Sequence, residues 1–367
     1  MSTRPGGIAP HVLHVLPDEG AIERIAAFGT ALRHTLVTAD GSMPAGLTKS
    51  AYLKPASAFP PLGGLPTPGR MQKLARAMTA FDLVLTYGPQ ALDVAMAHTL
   101  FRDAMELPAL VHHESAPDTE HQFRQKWYRR LALGKSAGVV VPGEALEKAA
   151  LVDWQQPLGR VKTISPGLDT KAFANRPKSD SFRLIKHANE KWVGAAPDMA
   201  RSQEIIGLLR AFARISEPWQ LVIVGERRDD PEVDKELDRL QFGDRVHFVG
   251  EVKDPARVMG LFDIYVVLAD TDAFPLATAQ AMAASVPVVA PMGSGSAQIL
   301  APEGATWLYD PATADMLGQH LAGLAHDKAE RALVGEANRA RAVREYDRDK
   351  VHATYRRLYA SAMKQEF

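Results

Sequence analysis

The stretch Ile264-Tyr-Val-Val-Leu268-Ala-Asp-Thr-Asp272-Ala-Phe-Pro-Leu-Ala-Thr-Ala-Gln280-Ala-Met-Ala-Ala-Ser285-Val-Pro-Val-Val-Ala290 decides the fold. Ile264 to Leu268 is apolar throughout and of strand length. A short polar loop follows. A helix then starts at Phe274-Pro275, where Pro suits the first helical turn. Val286 to Ala290 is a second apolar run of strand length. Strands without polar alternation, separated by helices, belong to a parallel sheet covered on both faces.

The same alternation extends in both directions. Downstream, Thr313 to Lys364 is helical by pattern. Upstream, Trp219 to Val224 and Val246 to Val249 read as strands, and Glu204 to Ile215 as a helix. Further upstream His11 to Leu16, Asp82 to Thr86, Leu110-Val111, Ala137 to Val141 and Val161 to Ile164 read as strands. Helices fall at Ile22 to Leu32, from Ala91 to Leu107, and at Glu144 to Trp154. Between the two series, Pro166 to Asp180 is short and polar and holds Pro166, Gly167 and Pro177, as a linker does. The expected architecture is α/β, with two doubly wound Rossmann-like domains facing across a cleft. Residues 1–167 form the first domain and 168–346 the second. Residues 347–367 form a last helix that returns to the first domain, because Val351, Tyr355, Leu358, Tyr359 and Ala362 recur at helical spacing.

Composition narrows the function. The chain has 367 residues, 43 Lys+Arg against 43 Asp+Glu, and no cysteine. A neutral chain lacks the basic surplus that nucleic-acid binding needs. The absence of cysteine removes disulfides, thiolate zinc sites and thiol nucleophiles. No apolar run approaches a membrane span of roughly 20 residues, and no Gly-x-Gly-x-x-Gly follows a strand, which argues against a dehydrogenase. The expectation is a cytoplasmic protein with no nucleic-acid partner.

Four segments carry candidate chemistry. Leu16-Pro-Asp-Glu-Gly-Ala-Ile-Glu-Arg24 is a strand, a small-residue turn and a helix start, where outward N–H groups suit an anion. Its plainer reading is a simple turn. Pro108-Ala-Leu-Val-His-His-Glu-Ser115 ends a strand with two histidines. They can hydrogen-bond a hydroxyl, or simply sit in the core. The following helix, with Arg124, Lys126, Arg129 and Arg130, is more often a solvated face, but could lean on an anionic membrane surface. Val139-Val-Val-Pro-Gly-Glu144 with Ile164-Ser-Pro-Gly-Leu-Asp169 reads as architecture. The fourth segment is the deciding stretch itself. Asp270-Thr-Asp272 also imitates a short metal-binding Asp-x-Asp, but the order of elements around it speaks against that reading.

Together these segments resemble the retaining GT-B glycosyltransferases of the family 4 type (glycosyl transferases group 1), from His11 to about Leu300. The resemblance implies transfer of a sugar, with retention, from a nucleoside-diphosphate sugar to a glycan or lipid-linked acceptor held by the first domain. It implies no cofactor beyond the donor substrate and no metal. The basic helix adds the option of a cytoplasmic protein peripheral to the inner face of a membrane. His113, or alternatively His112, stands where the family's histidine touches the donor sugar. Asp272 and Gln280 stand where the family has two glutamates, the first facing the sugar and the second gripping the ribose. Gly20, Arg201, Gly225, Phe274 and Pro275 complete the expected donor site. Arg201 lies between Ala200 and Gln203, the positions of the family's two diphosphate cations, and Lys186 and Lys191 are further candidates. Ala21, Pro166, Ala200, Gln203, Asp272, Gln280 and Ser285 depart from the family pattern. They keep open the alternative of a catalytically impaired GT-B-like protein acting as a binding or partner subunit in glycan synthesis.

Overall fold

The structure, a computed structural model, describes residues 8–39, 52–56, 58–115, 123–180, 182–269, 273–313 and 315–367. Asp272, with Asp270 and Thr271, lies outside the described residues. The chain divides into two compact units, one of residues Met1–Gly167 with Asp349–Phe367, the other of Leu168–Arg348.

The first unit is built from β1 (His11–Val15), α1 (Glu19–Phe28), β2 (Arg33–Val37), β3 (Leu53–Pro55), α2 (Pro68–Met78), β4 (Leu83–Tyr87), α3 (Leu92–Met105), β5 (Ala109–His113), α4 (Phe123–Ala132), β6 (Gly138–Val141), α5 (Glu144–Lys148) and β7 (Val161–Thr163). Its seven strands lie in the order β3-β2-β1-β4-β5-β6-β7, and each neighbouring pair is parallel. The apolar runs His11 to Leu16 and Asp82 to Thr86 become β1 and β4 because both faces of these strands are covered. Val12, Leu13, Leu83 and Leu85 are wholly buried, each worth about 1.5–3 kcal/mol. β2 has no such run. Arg33-His-Thr-Leu-Val37 mixes charge with apolar residues, and its register with β1 comes from the sheet. The helix read over Glu144 to Trp154 is α5 widening into a π turn, Ala149–Asp153, before the buried Trp154.

The second unit runs β8 (Lys191–Ala195), α6 (Ser202–Phe212), β9 (Trp219–Ile223), α7 (Pro231–Leu240), β10 (Val246–Phe248), β11 (Ile264–Val266), α8 (Leu276–Ala283), β12 (Val288–Pro291), α9 (Gly295–Ile299), β13 (Leu308–Tyr309), α10 (Met316–His326) and α11 (Lys328–Glu345). The order is β10-β9-β8-β11-β12-β13, again all parallel. One apolar cluster covers each face of this sheet. Gly194 in β8 is fixed by packing: a Cβ there would lie 2.4 Å from the Phe262 ring. That bare position is also why β8 carries a weak strand signal. The last helix, α12 (Arg348–Met363), places Val351, Tyr355 and Tyr359 in the core of the first unit.

Local signals explain several boundaries. The Asp18 carboxylate accepts from Ala21 N at 2.7 Å and caps α1. α8 ends in a Schellman motif, with Ser285 N donating to Met282 O and Val286 N to Ala281 O. Ser285 holds the left-handed position, φ 59°. Each sheet reverses its winding once, between β1 and β4 and between β8 and β11. At such points the loops after the strands splay apart and leave a ligand crevice. Among the described residues no helix is long and apolar enough to cross a membrane.

Candidate functional site

In the first unit, a pocket of about 370 Å³ opens at the carboxyl edge of the sheet. Gly20 and Arg24 reach it from α1, His113 from the end of β5, Pro142 from the turn after β6, Pro166 from the turn after β7, and Tyr355 from α12. The structure thus brings Gly20 and His113 to one pocket.

His113 is 5% exposed, and both its ring nitrogens have protein partners. The Thr86 carbonyl can only accept, so Nδ1 carries the proton and donates to it at 3.4 Å. Nε2 therefore accepts, from the Tyr359 hydroxyl at 2.9 Å. Tyr359 in turn hydrogen-bonds Tyr87. The Tyr87 hydroxyl lies 3.2 Å from His14 Nδ1, and His14 Nε2 lies 2.9 Å from His34 Nδ1. Each hydroxyl and each neutral imidazole has one proton to give, so the Thr86 carbonyl orients the whole chain. It runs His34 to His14 to Tyr87 to Tyr359 to His113. Tyr87 also stacks on His113, centroids 4.5 Å apart. Burial, with Arg24 and His112 nearby, holds His113 well below the ordinary histidine pKa. Burial, with His34 and Arg24, does the same to His14. Both are neutral.

His112 faces away from this chain. Its Nδ1 meets Thr86 Oγ1 at 2.9 Å, and its Nε2 lies 3.7 Å from Glu114. Arg129 Nη2 donates to Glu114 at 3.0 Å. Burial pushes the Glu114 carboxyl up, but His112 and Arg129 outweigh it and hold the group below the usual carboxylate range. This triad ties α4 to β5.

In the second unit, Arg201 lies in the loop after β8 and Gly225 in the loop after β9. Phe274 and Pro275 lie between β11 and α8, and Gln280 inside α8. The loops after β8 and β11 flank the β8/β11 reversal. Gly225, φ 137°, would put a Cβ 2.9 Å from Met199, so its turn lies against the loop that carries Arg201. Phe274 is buried against Tyr346, centroids 5.6 Å apart. Pro275 precedes the first residue of α8. Gln280 is half-buried, and among the described residues no side chain hydrogen-bonds its amide. Arg201 is already engaged: Nη1 meets Glu204 at 2.9 Å and Nε lies 3.6 Å from Asp198. Gln203 donates to Glu232 at 2.8 Å. Lys186 and Lys191 both pair with Asp263, just before β11. That is the amino edge of the sheet, opposite the Arg201 loop, so neither replaces Arg201 there.

Sequence reasoning left Arg24, Tyr355 and Tyr359 without roles at this pocket. Arg24 is 7% exposed and lies 4.1 Å over the Tyr355 ring. Its signal was an arginine on the same helical face as the core residues Ala21 and Ile25.

Two doubly wound parallel units with these reversals are the GT-B architecture. Residues 179–341, within the second unit, match the family model described as Glycosyl transferases group 1. Among curated relatives, the MMP alpha-(1->4)-mannosyltransferase of Mycolicibacterium hassiacum is 23% identical over 277 residues, 70% of this chain and 66% of that one. The N-acetyl-alpha-D-glucosaminyl L-malate synthase of Bacillus anthracis is 19% identical over 212 residues, 56% of this chain and 55% of that one. The chain therefore spans less than two thirds of the length of these relatives. Among solved structures, Anabaena Alr3699/HepE in complex with UDP and glucose superposes with a TM-score of 0.69 at 17% identity, covering 96% of this chain and 100% of that one. A glycosyltransferase from Rickettsia africae gives 0.74 at 14%, covering 97% and 99%.

Proposed function

We propose that this protein transfers a sugar from a nucleoside-diphosphate sugar to a glycan or lipid-linked acceptor, with retention at the anomeric carbon. The observation that carries this reading is the β8/β11 reversal inside the matched family domain. Gln280 stands on the helix that follows, and no side chain among the described residues hydrogen-bonds its amide. A glutamine amide accepts from one ribose hydroxyl and donates to another. In this reading the second unit holds the donor and the first unit the acceptor. Asp272, outside the described residues, is the carboxylate this reading assigns to the transferred sugar, and His113 the histidine it assigns to the sugar's contact. Leaving-group stabilisation by cations and helix dipoles, with orientation of the sugar, supplies the rate enhancement. Contact with a membrane surface falls to α4, where Trp127 is 48% and Leu131 52% exposed beside Arg130.

One observation favours a second reading, a GT-B-shaped partner protein without transfer activity. Arg201 spends its charge on Asp198 and Glu204, and Gln203 is bound to Glu232. The diphosphate would then lack a free cation at this loop.

The experiment is slow hydrolysis of nucleotide sugars by the protein, followed by NMR at early times. The transfer reading expects one donor to release its sugar, first in the anomeric configuration of the donor. Release in the opposite configuration contradicts retention. No release from any donor, with an acceptor extract added, favours the partner reading.

A further inference from the structure

We propose that Glu204 is an internal competitor for the donor's diphosphate, a carboxylate of this chain that holds Arg201 and so limits how tightly the second unit takes a charged nucleotide. In the donor reading, on which this rests, the diphosphate lies at the start of α6 beside Arg201. That place already holds a negative charge. Arg201 Nη1 lies 2.9 Å from Glu204 Oε1, a charge-assisted hydrogen bond. Glu204 belongs to the first turn of α6, and among the described residues this helix end has no side-chain cap. The helix dipole favours an anion there, and Glu204 supplies one from within.

The carboxylate is not a comfortable surface charge. Its Oε2 is buried and has no hydrogen-bond partner among the described residues, which costs free energy for a polar atom. It also acts inside the crevice. Tyr309, buried in β13, donates from its hydroxyl to the Val267 carbonyl at 3.0 Å, just past the end of β11. Burial first, and then the Glu204 charge, raise this phenol above its ordinary pKa. The field of Glu204 therefore reaches the β11 side of the β8/β11 reversal.

Three other carboxylates crowd the same turn, but their positions differ in effect. Asp230 accepts from the Ser202 hydroxyl and caps α7 by accepting from Glu232 N at 3.0 Å. Glu232 stands on α7 and accepts from Gln203 at 2.8 Å. Asp198 lies 3.6 Å from Arg201 Nε, beyond hydrogen-bond reach, and is 58% exposed, so water and salt screen it. Glu204, 27% exposed, makes the short contact. A diphosphate that takes Arg201 must displace Glu204 and then lie beside its charge. Like charges held close in a partly desolvated site repel. The penalty grows with the charge of the ligand, so it falls hardest on a diphosphate, less on a monophosphate and not on a nucleoside.

Titration calorimetry on the full chain tests this with uridine and guanosine diphosphates, the two monophosphates and the two nucleosides. Circular dichroism checks that each variant is folded. Glu204→Gln keeps the reach of the side chain and removes its charge. At least one diphosphate should bind Glu204→Gln about tenfold more tightly than wild type, its monophosphate should gain less, and the nucleosides should not change. Asp198→Asn removes an equal charge at the screened position and should gain less than about threefold. In an Arg201→Gln background the gain from Glu204→Gln should also shrink below about threefold, because the contested cation is gone. If Glu204→Gln does not fold, Glu204→Ala carries the test with the same expected gain. Unchanged or weaker diphosphate binding by a folded variant, a gain that persists in full without Arg201, or no diphosphate bound by either protein overturns the proposal. A nucleotide sugar bound through Gln280 with an affinity indifferent to Glu204 would remove this assignment and leave the donor reading standing.

Discussion

The Tyr359 hydroxyl lies 2.9 Å from His113 Nε2, a contact made across 246 positions of sequence. It puts the last helix of the chain in charge of a histidine at the edge of the first sheet. Tyr359 also holds the middle of the buried chain that runs back to His34.

Tyr359→Phe should keep the ring in the core and remove the hydrogen bond. His113 Nε2 and the Tyr87 hydroxyl then lose their partner in a buried setting, at a cost of about 1–3 kcal/mol. Urea denaturation reads the loss, and imidazole 15N shifts read the tautomer. The account expects Nδ1 to carry the proton in wild type and a mixed tautomer in the variant. An Nε2-protonated His113 in wild type would reverse the direction of the chain.

Stability should fall as pH drops from about 6.5 towards 4. Burial, against the smaller opposing pull of the Gly29 carbonyl, lowers His34 to about 4. Burial likewise lowers His98 to about 4. Each stays neutral in the folded chain while its unfolded counterpart, with a pKa of about 6.5, takes up a proton. The unfolded state binds more protons in that window, so stability is full above it and declines as pH falls through it. Replacing His34 by Asn should flatten the melting-temperature profile between pH 6.5 and 4. An unchanged slope would assign the acid sensitivity elsewhere.

Ser285→Gly should stabilise the protein. Ser285 occupies the left-handed position of the α8 Schellman motif, and an L side chain there costs about 1 kcal/mol. Among the described residues no hydrogen bond to its hydroxyl offsets that cost. Glycine should raise the denaturation free energy by up to about 1 kcal/mol. A decrease would contradict the strain assigned to Ser285.

Strands buried on both faces were legible because burial on both faces writes an unbroken apolar run. β1, β4, β9 and β12 are of this kind. β2 carries Arg33 and His34, and β8 carries Gly194 under Phe262, so neither announced itself. At the site, the strand-end position of His113 was readable, but the proton order of its ring depends on Thr86 and Tyr359, which only folding brings near. Tyr355 and Tyr359 were read as the apolar face of a helix. Their rings are that face, while the hydroxyl of Tyr359 serves the histidine. The engagement of Arg201 was more accessible, since Asp198 and Glu204 each lie three residues away, the spacing of paired charges on a helical turn.

The most direct measurement is calorimetric titration of the full chain with a panel of nucleoside-diphosphate sugars, repeated on Gln280→Ala. The account predicts that one member binds wild type and that Gln280→Ala weakens it about tenfold, the value of one to two hydrogen bonds. Flat traces with every nucleotide sugar, or a donor whose affinity ignores Gln280, would contradict a donor site at the β8/β11 reversal.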